Sequence, residues 1–167
     1  MRLRKWTTLN VIAIDPGVTT GYARGKISEG HLYYFPFQIL DDVDDLWHRL
    51  VEINPRHIII EDFEFRQGRQ RTGLNLFPIQ LIGVARLYSL IGNLQCAIHI
   101  QKASFGKQYY SDNILKTYGF YERGKPHAMD ASRHLLQWFT FGAGYQYNSG
   151  TKEFATRLDE WVNDSPS

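Results

Sequence analysis

Two short runs of uninterrupted apolar residues, each closed by a carboxylate, constrain this chain more than any other feature. Val11-Ile12-Ala13-Ile14 ends at Asp15-Pro16-Gly17, and Ile58-Ile59-Ile60 ends at Glu61-Asp62. Runs this short and this rich in β-branched residues read as strands buried on both faces, which requires a sheet covered on two sides. A carboxylate at the end of such a strand is destabilised unless it is paired, hydrated or bound to a cation. In an open α/β sheet those strand ends face the ligand crevice.

The remaining elements follow from periodicity and turn chemistry. Thr20 to Ile27 and His31 to Phe37 read as strands joined by a turn at Ser28-Glu29-Gly30. Asp41 to Ile53 reads as a helix, with acids at its start and Leu46, Leu50 and Ile53 at helical spacing, ended by Asn54-Pro55. His57 to Phe63 is the second buried strand, and the basic, glycine-bearing stretch Glu64 to Gly73 is a loop. Leu76, Ile79, Gly83, Arg86, Leu87 and Leu90 mark a long helix ending at Gly92. Ala97 to Ile100 is a short strand, and Ser111 to Tyr118 a short helix closed by Gly119. Pro126 suits a first helical position, with Ala128 to Phe141 continuing that helix. The expected fold is therefore α/β, with an antiparallel meander followed by parallel strands and flanking helices. The expected division is one domain over residues 1–141, followed by a linker from Gly142 to Gly150 and a helix from Thr151 to Val162 packed on it.

At 167 residues the chain is long enough to bury a core without disulfides or a structural metal. Cys96 stands alone and reads as a small buried hydrophobe. The basic start Met1-Arg2-Leu3-Arg4-Lys5-Trp6 runs into Thr7-Thr8 rather than an apolar segment, and no run is long enough to span a bilayer, so a cytoplasmic protein without a membrane partner is expected. The net charge of +2 neither demands nor excludes nucleic acid, but its distribution is uneven. Acids crowd into Asp41-Asp42-Val43-Asp44-Asp45, Arg66, Arg69 and Arg71 sit with Gln67 and Gln70, and Lys102, Lys107, Lys116, Arg123 and Lys125 follow. Each group alone is compatible with a solvated face; together they can track a phosphate backbone.

Three features carry chemistry. Asp15 ends the first strand, although Asp-Pro-Gly is also a good turn in its own right. Glu61 ends the second buried strand, where a chain emerging into solvent is the alternative. His127-Ala128-Met129-Asp130 opens the last core helix, and residues three apart share a helix face, although an acid in a first turn also complements the dipole. Taken together, Asp15, Glu61, His127 and Asp130 form a set of hard oxygen donors plus an imidazole, which suits Mg²⁺ or Mn²⁺ better than a thiolate-rich zinc site. Clustered carboxylates repel one another; a pair of divalent ions relieves that repulsion, activates water and stabilises a leaving oxygen. A phosphodiester is the expected target, with no organic cofactor.

The run Val11 to Gly17 with Thr20-Gly21-Tyr22-Ala23 resembles the opening of RuvC-type Holliday junction resolvases, particularly phage-encoded members, within the RNase H-like superfamily. Ile58-Ile59-Ile60-Glu61 resembles the second acidic strand of that family, and His127-Ala128-Met129-Asp130-Ala131 resembles its C-terminal acidic helix in the subset with His at the first position. Asn75 to Leu90, with Gln80, Gly83 and Val84, resembles the helix that pairs subunits. The similarity runs from about Val11 to Phe141. It implies an RNase H-like mixed sheet and two metal ions held by Asp15, Glu61, Asp130 and His127, with Asp15 bridging them and His127 ligating or handling a proton. It further implies a homodimer joined through Leu76, Ile79, Gly83, Arg86 and Leu87, and a bacterial cytoplasm as the compartment. Paired cuts in branched DNA, above all four-way junctions, would leave 5′-phosphate and 3′-hydroxyl ends. Phe63, Phe65, Arg66, Arg69, Arg71, Lys102, Lys107 and Lys116 are the expected DNA contacts.

Some residues depart from that pattern. Asp62 follows Glu61 where the family commonly has a neutral residue, and it points to the opposite strand face, so it is not read as a ligand. Phe63 and Phe65 are candidates either for stacking near the crossover or for plain strand packing. His134, seven residues after His127 on nearly the same helix face, reads as a packing or supporting residue rather than a ligand. A nuclease for flaps or forks would use the same residues. Asp15-x-Gly17-x-Thr19-Thr20-Gly21 is also similar to the phosphate turn of actin-like ATPases, but those proteins need a second lobe and a second such turn.

Overall fold

The computed structural model describes residues 9–28, 31–39, 42–63, 76–91 and 96–141. Three strands open the chain, β1 (Leu9–Asp15), β2 (Thr20–Ser28) and β3 (His31–Ile39), followed by α1 (Val43–Ile53) and β4 (His57–Glu61). Then come α2 (Phe77–Ile91), β5 (Ala97–Gln101), α3 (Ala103–Tyr109), α4 (Asp112–Thr117) and α5 (Pro126–Phe141). The strands form one sheet in the order β3-β2-β1-β4-β5. β1, β2 and β3 pair antiparallel, while β1, β4 and β5 pair parallel, as the apolar runs and hairpin pattern imply.

Alternation along the central strands divides the core into two layers. Val11, Ala13 and Ile59 pack with Ala128, Met129, Leu135 and Phe139 of α5 on one face. Ile12, Ile14, Ile58 and Ile60 pack with Leu46 and Leu50 of α1 and with Leu81, Ala85 and Tyr88 of α2 on the other. Burial on both faces is why these strands carry unbroken apolar runs. Cys96 is buried in the second layer, and burial pushes its thiol up to about 11, so it is an inert hydrophobe at neutral pH.

Several boundaries differ from the sequence expectation for local physical reasons. α1 begins at Val43 because the Asp42 side chain caps the helix, accepting from the backbone N–H of Asp44 at 2.8 Å. Its other end, at Ile53, is where Asn54-Pro55 implies: the left-handed φ of 48° at Asn54 lets that residue's N–H reach the Leu50 carbonyl at 2.9 Å. β4 stops at Glu61 rather than continuing to Phe63. Its partner β5 ends at Gln101, and after a last bond from the Asp62 N–H to the Gln101 carbonyl (2.7 Å) no strand among the described residues continues the pairing. α3 has no counterpart in the sequence reading: it is a seven-residue helix that buries only Gly106, so it leaves no apolar periodicity. The loop expected from Glu64, the helix end at Gly92, and the linker and helix beyond Gly142 lie outside the described residues.

Gly21 sets how closely α5 lies on the sheet. A Cβ there would meet the His127 carbonyl carbon at 2.0 Å and the Ala128 nitrogen at 2.4 Å, so only glycine lets the start of α5 rest on β2. Along its length α5 is pinned by Ser132, bonded to the Tyr34 hydroxyl, and by Arg133, whose Nε donates to the Tyr110 carbonyl at 2.8 Å.

At the far end of α5, Trp138 packs against the rings of His57 and His99, which face each other across β4 and β5 with Nδ1 and Nε2 3.1 Å apart. One N–H and one lone pair satisfy this contact while at least one ring is neutral, and it is lost when both are charged. Burial, first of all, holds both imidazoles below their ordinary 6.5, and His57 is lowered further by His99 and Arg56. A histidine with a depressed folded pKa contributes stability above the unfolded value that is lost as pH falls through the folded one. Thermal melts should therefore show the wild type above His99→Gln at pH 7.5, with the gap narrowing by pH 5.5. A gap that widens on acidification would contradict the neutral pair.

Candidate active site

The parallel strands deliver their last residues side by side. Ile14 pairs with Ile60, which places Asp15 beside Glu61, and Glu61 pairs with Gln101 of β5. Because side chains alternate, Asp15 shares the face of Val11 and Ala13, while Glu61 shares that of Ile59. Both are thus on the face covered by α5, whereas Asp62 lies exposed beyond the strand. Helix α5 begins over these strand ends, so its first turns add His127 and Asp130.

Contacts within this group are specific. His127 Nδ1 lies 3.1 Å from Asp15 Oδ2. His134 Nε2 lies 2.9 Å from Glu61 Oε2, and its Nδ1 lies 2.7 Å from Gln101 Oε1. Asp130 is held on both oxygens, one by Arg133 Nη1 and the other by Lys107 Nζ at 3.1 Å. Arg133, whose side chain is 9% exposed, also pairs with Asp112 and so ties α5 to α4.

The electrostatics match a cluster of like charges. The Asp15 carboxyl is pushed up from 3.8 to about 6, first by burial and next by the negative charge of Glu61. The His127 hydrogen bond pulls it down, Asp130 pushes it up, and the His127 charge pulls it down again. A buried carboxylate next to two others is an arrangement that a divalent cation relieves. The donor chemistry of Asp15, Glu61, Asp130 and His127 fits a hard ion of the Mg²⁺ or Mn²⁺ kind. Among the described residues, however, no three His, Cys, Asp or Glu side chains are gathered into a group that could hold a metal as they stand. Asp15 and His127 face each other, while Glu61 is turned to His134 and Asp130 to Lys107 and Arg133.

Other residues singled out from sequence are distributed around this centre. Lys107 projects from α3 onto Asp130, and Lys102 is exposed where that helix starts. Lys116 lies over the Tyr121 ring at 4.7 Å, and Tyr121, Lys107, Lys125, Asp130 and Arg133 line a cleft of about 280 Å³ beside the carboxylates. Phe63 is half-buried just past β4, whereas Phe65, Arg66, Arg69 and Arg71 lie outside the described residues. Leu76 (47% exposed), just before α2, and Ile79 (40%) and Leu87 (48%) on it stand out from the core with Gly83 and Arg86. The sequence reading did not single out Gln101 or Arg133. Arg133 was detectable as a cation three residues after Asp130 on one helix face. Gln101 was not, because only strand register places it beside Glu61.

No family model matches the sequence, and no curated protein matches it. Solved structures do. RuvC from Thermus thermophilus in complex with a Holliday junction substrate is similar at 15% identity and a TM-score of 0.58, over 80% of this chain and 97% of that one. A second Thermus thermophilus RuvC structure is similar at 14% identity and a TM-score of 0.53, over the same 80% and 97%. With its sheet of mixed strand direction between α5 and the α1–α2 layer, the chain has the RNase H-like fold of the RuvC resolvases.

Proposed function

We propose that this protein is a metal-dependent endodeoxyribonuclease that cuts branched DNA, with four-way junctions as its principal substrate. The observation that supports this most is the convergence of Asp15, Glu61, His127 and Asp130 from two adjacent strand ends and one helix start, on one face of a RuvC-like sheet. Asp15, Glu61, Asp130 and His127 would hold two Mg²⁺ or Mn²⁺ ions, with Asp130 giving up its contacts to Lys107 and Arg133 to do so. When bound, such ions polarise a phosphodiester and supply a nucleophilic water at neutral pH. His127 spends Nδ1 on Asp15, which fixes its ring and leaves Nε2 to ligate or to carry a proton. Lys107 meets Asp130 from the exposed side, where the same ammonium can contact a DNA phosphate passing the site. Among the described residues no helix is long and apolar enough to cross a membrane.

Four-way junctions offer two equivalent strands, which suits a two-fold symmetric homodimer. The exposed apolar side of α2 fits a second copy: Leu76, Ile79, Leu87, Leu90 and Ile91 stand out from the core, and nothing lies within 4 Å of where a Gly83 side chain would be. Leu87→Glu should convert a dimer to a monomer in sedimentation experiments and turn paired junction cuts into single nicks. A wild type that stays monomeric at tens of micromolar and on the junction would remove this part of the proposal.

The direct test is to compare cutting of four-way junctions, flaps, forks and linear duplex with Mg²⁺ and with Mn²⁺. Symmetric cuts that leave ligatable nicked duplexes, with 5′-phosphate and 3′-hydroxyl ends, are expected from junctions. Equal cutting of flaps and forks would replace junction selectivity with a broader branched-DNA activity, and failure to cut any substrate would overturn the nuclease.

A further inference from the structure

We infer that His134 and Gln101 form a positioning pair that holds Glu61 by Oε2 and so sets where Oε1 can meet a metal ion, a second imidazole device distinct from His127. The inference rests on the nuclease reading above and deepens it. His134 is 1% exposed, yet both of its ring nitrogens are engaged: Nε2 with Glu61 Oε2 at 2.9 Å and Nδ1 with Gln101 Oε1 at 2.7 Å. Gln101 is itself buried at 6% exposure and sits directly across from Glu61 in the β4–β5 register. An ionised carboxylate only accepts hydrogen bonds, so the Nε2 proton of His134 is donated to Glu61 whichever way the Gln101 amide is turned.

The geometry assigns the two histidines of α5 to different strands. Seven residues of helix span about 10 Å, too far for His127 and His134 to serve one ion together. Instead His127 reaches Asp15 on β1, and His134 reaches Glu61 on β4. The backbone that carries His134 is packed closely, because Gly106 lets α3 press against α5 at this level: a Cβ on Gly106 would lie 2.8 Å from Arg133 Cβ and 3.4 Å from the His134 backbone nitrogen. A glutamate at a strand end has three side-chain torsions to restrict, and a rigid, buried donor on Oε2 restricts them while leaving Oε1 for a cation. Supporting hydrogen bonds of this kind typically change metal affinity by about 10–100-fold.

The test compares the wild type with His134→Asn, His134→Gln and Gln101→Leu. Asparagine lacks a donor at the Nε2 position, whereas glutamine places an amide N–H near it. Mn²⁺ binding is followed by the loss of the free-ion paramagnetic resonance signal, which needs no cutting. Junction affinity in Ca²⁺, thermal stability and the Mg²⁺ dependence of cutting are measured alongside. His134→Asn should weaken Mn²⁺ binding about 10–100-fold and raise the half-saturating Mg²⁺ by a similar factor, with junction affinity unchanged. Gln101→Leu should act in the same direction by a smaller factor, and His134→Gln should recover to within about threefold of wild type. Unchanged Mn²⁺ binding in His134→Asn overturns the positioning role, as does equal loss in His134→Asn and His134→Gln that tracks melting temperature. A wild type that binds Mn²⁺ but cuts no branched DNA overturns the nuclease reading alone; one that binds no Mn²⁺ overturns both.

Discussion

Asp15→Asn is expected to abolish strand cleavage, leave junction binding intact and make the protein more stable. The rate loss should reach at least about a thousandfold, equivalent to about 4 kcal/mol, because the substitution removes a charged donor from the centre of the carboxylate set. Stability should move the other way. Burial and the charges of Glu61 and Asp130 raise the Asp15 carboxyl to about 6, against an ordinary 3.8. Below about pH 4 the folded and unfolded states both carry the proton, and nothing is lost. As pH rises through about 6 the folded state must hold a buried charge, so at pH 7.5 Asp15 destabilises by about 1–3 kcal/mol after allowance for its bond to His127. In chelator at pH 7.5 the asparagine variant should therefore melt roughly 3–10 °C higher, with a smaller gain at pH 5. Retained cutting would remove Asp15 from the site, and a lower melting temperature at pH 7.5 would contradict the crowding of negative charge.

Gly21→Ala should be the most damaging small substitution in the described sheet. The added carbon would lie 2.0 Å from the His127 carbonyl carbon and 2.2 Å from its oxygen, and these are helix backbone atoms that cannot rotate aside. The first turn of α5 must then lift, carrying His127 off Asp15 and Asp130 away from the strand ends. Overpacking of a core typically destabilises by about 1–3 kcal/mol, and a backbone clash belongs at or above the upper end. Gly25→Ala is the informative contrast. Its Cβ would meet the Phe139 ring at 2.9 Å, a side chain that can shift, so a smaller loss is expected. Denaturant titration checks the order. Equal stability of Gly21→Ala and wild type, with unchanged cutting, would mean that α5 does not begin where this site requires.

Much of this was legible because the signals are local. Val11 to Ile14 and Ile58 to Ile60 are apolar on consecutive positions, which only strands covered on both faces sustain, and the acids that close them mark the crevice side of the sheet. The spacing of His127 and Asp130 put both on one face of a helix whose first residue, Pro126, was readable from its own chemistry. α3 was not legible, since a seven-residue helix that buries only a glycine has no pattern to detect. Nor was the hold of Lys107 on Asp130, which depends on that helix being there.

The amino-acid order alone determined which residues end the buried strands, which helix carries the other candidate residues, and that these offer oxygen and imidazole atoms rather than thiolates. Tertiary structure decided who meets whom. Asp15 and His127 are 112 positions apart and Glu61 and His134 are 73 apart, and no periodicity encodes those pairings. They are set by the β1–β4–β5 register and by how closely α5 can approach β2 at Gly21. Alternation and helical spacing report only which face a side chain takes within its own element; the partner across the gap is chosen by packing, which acts between elements once they are assembled.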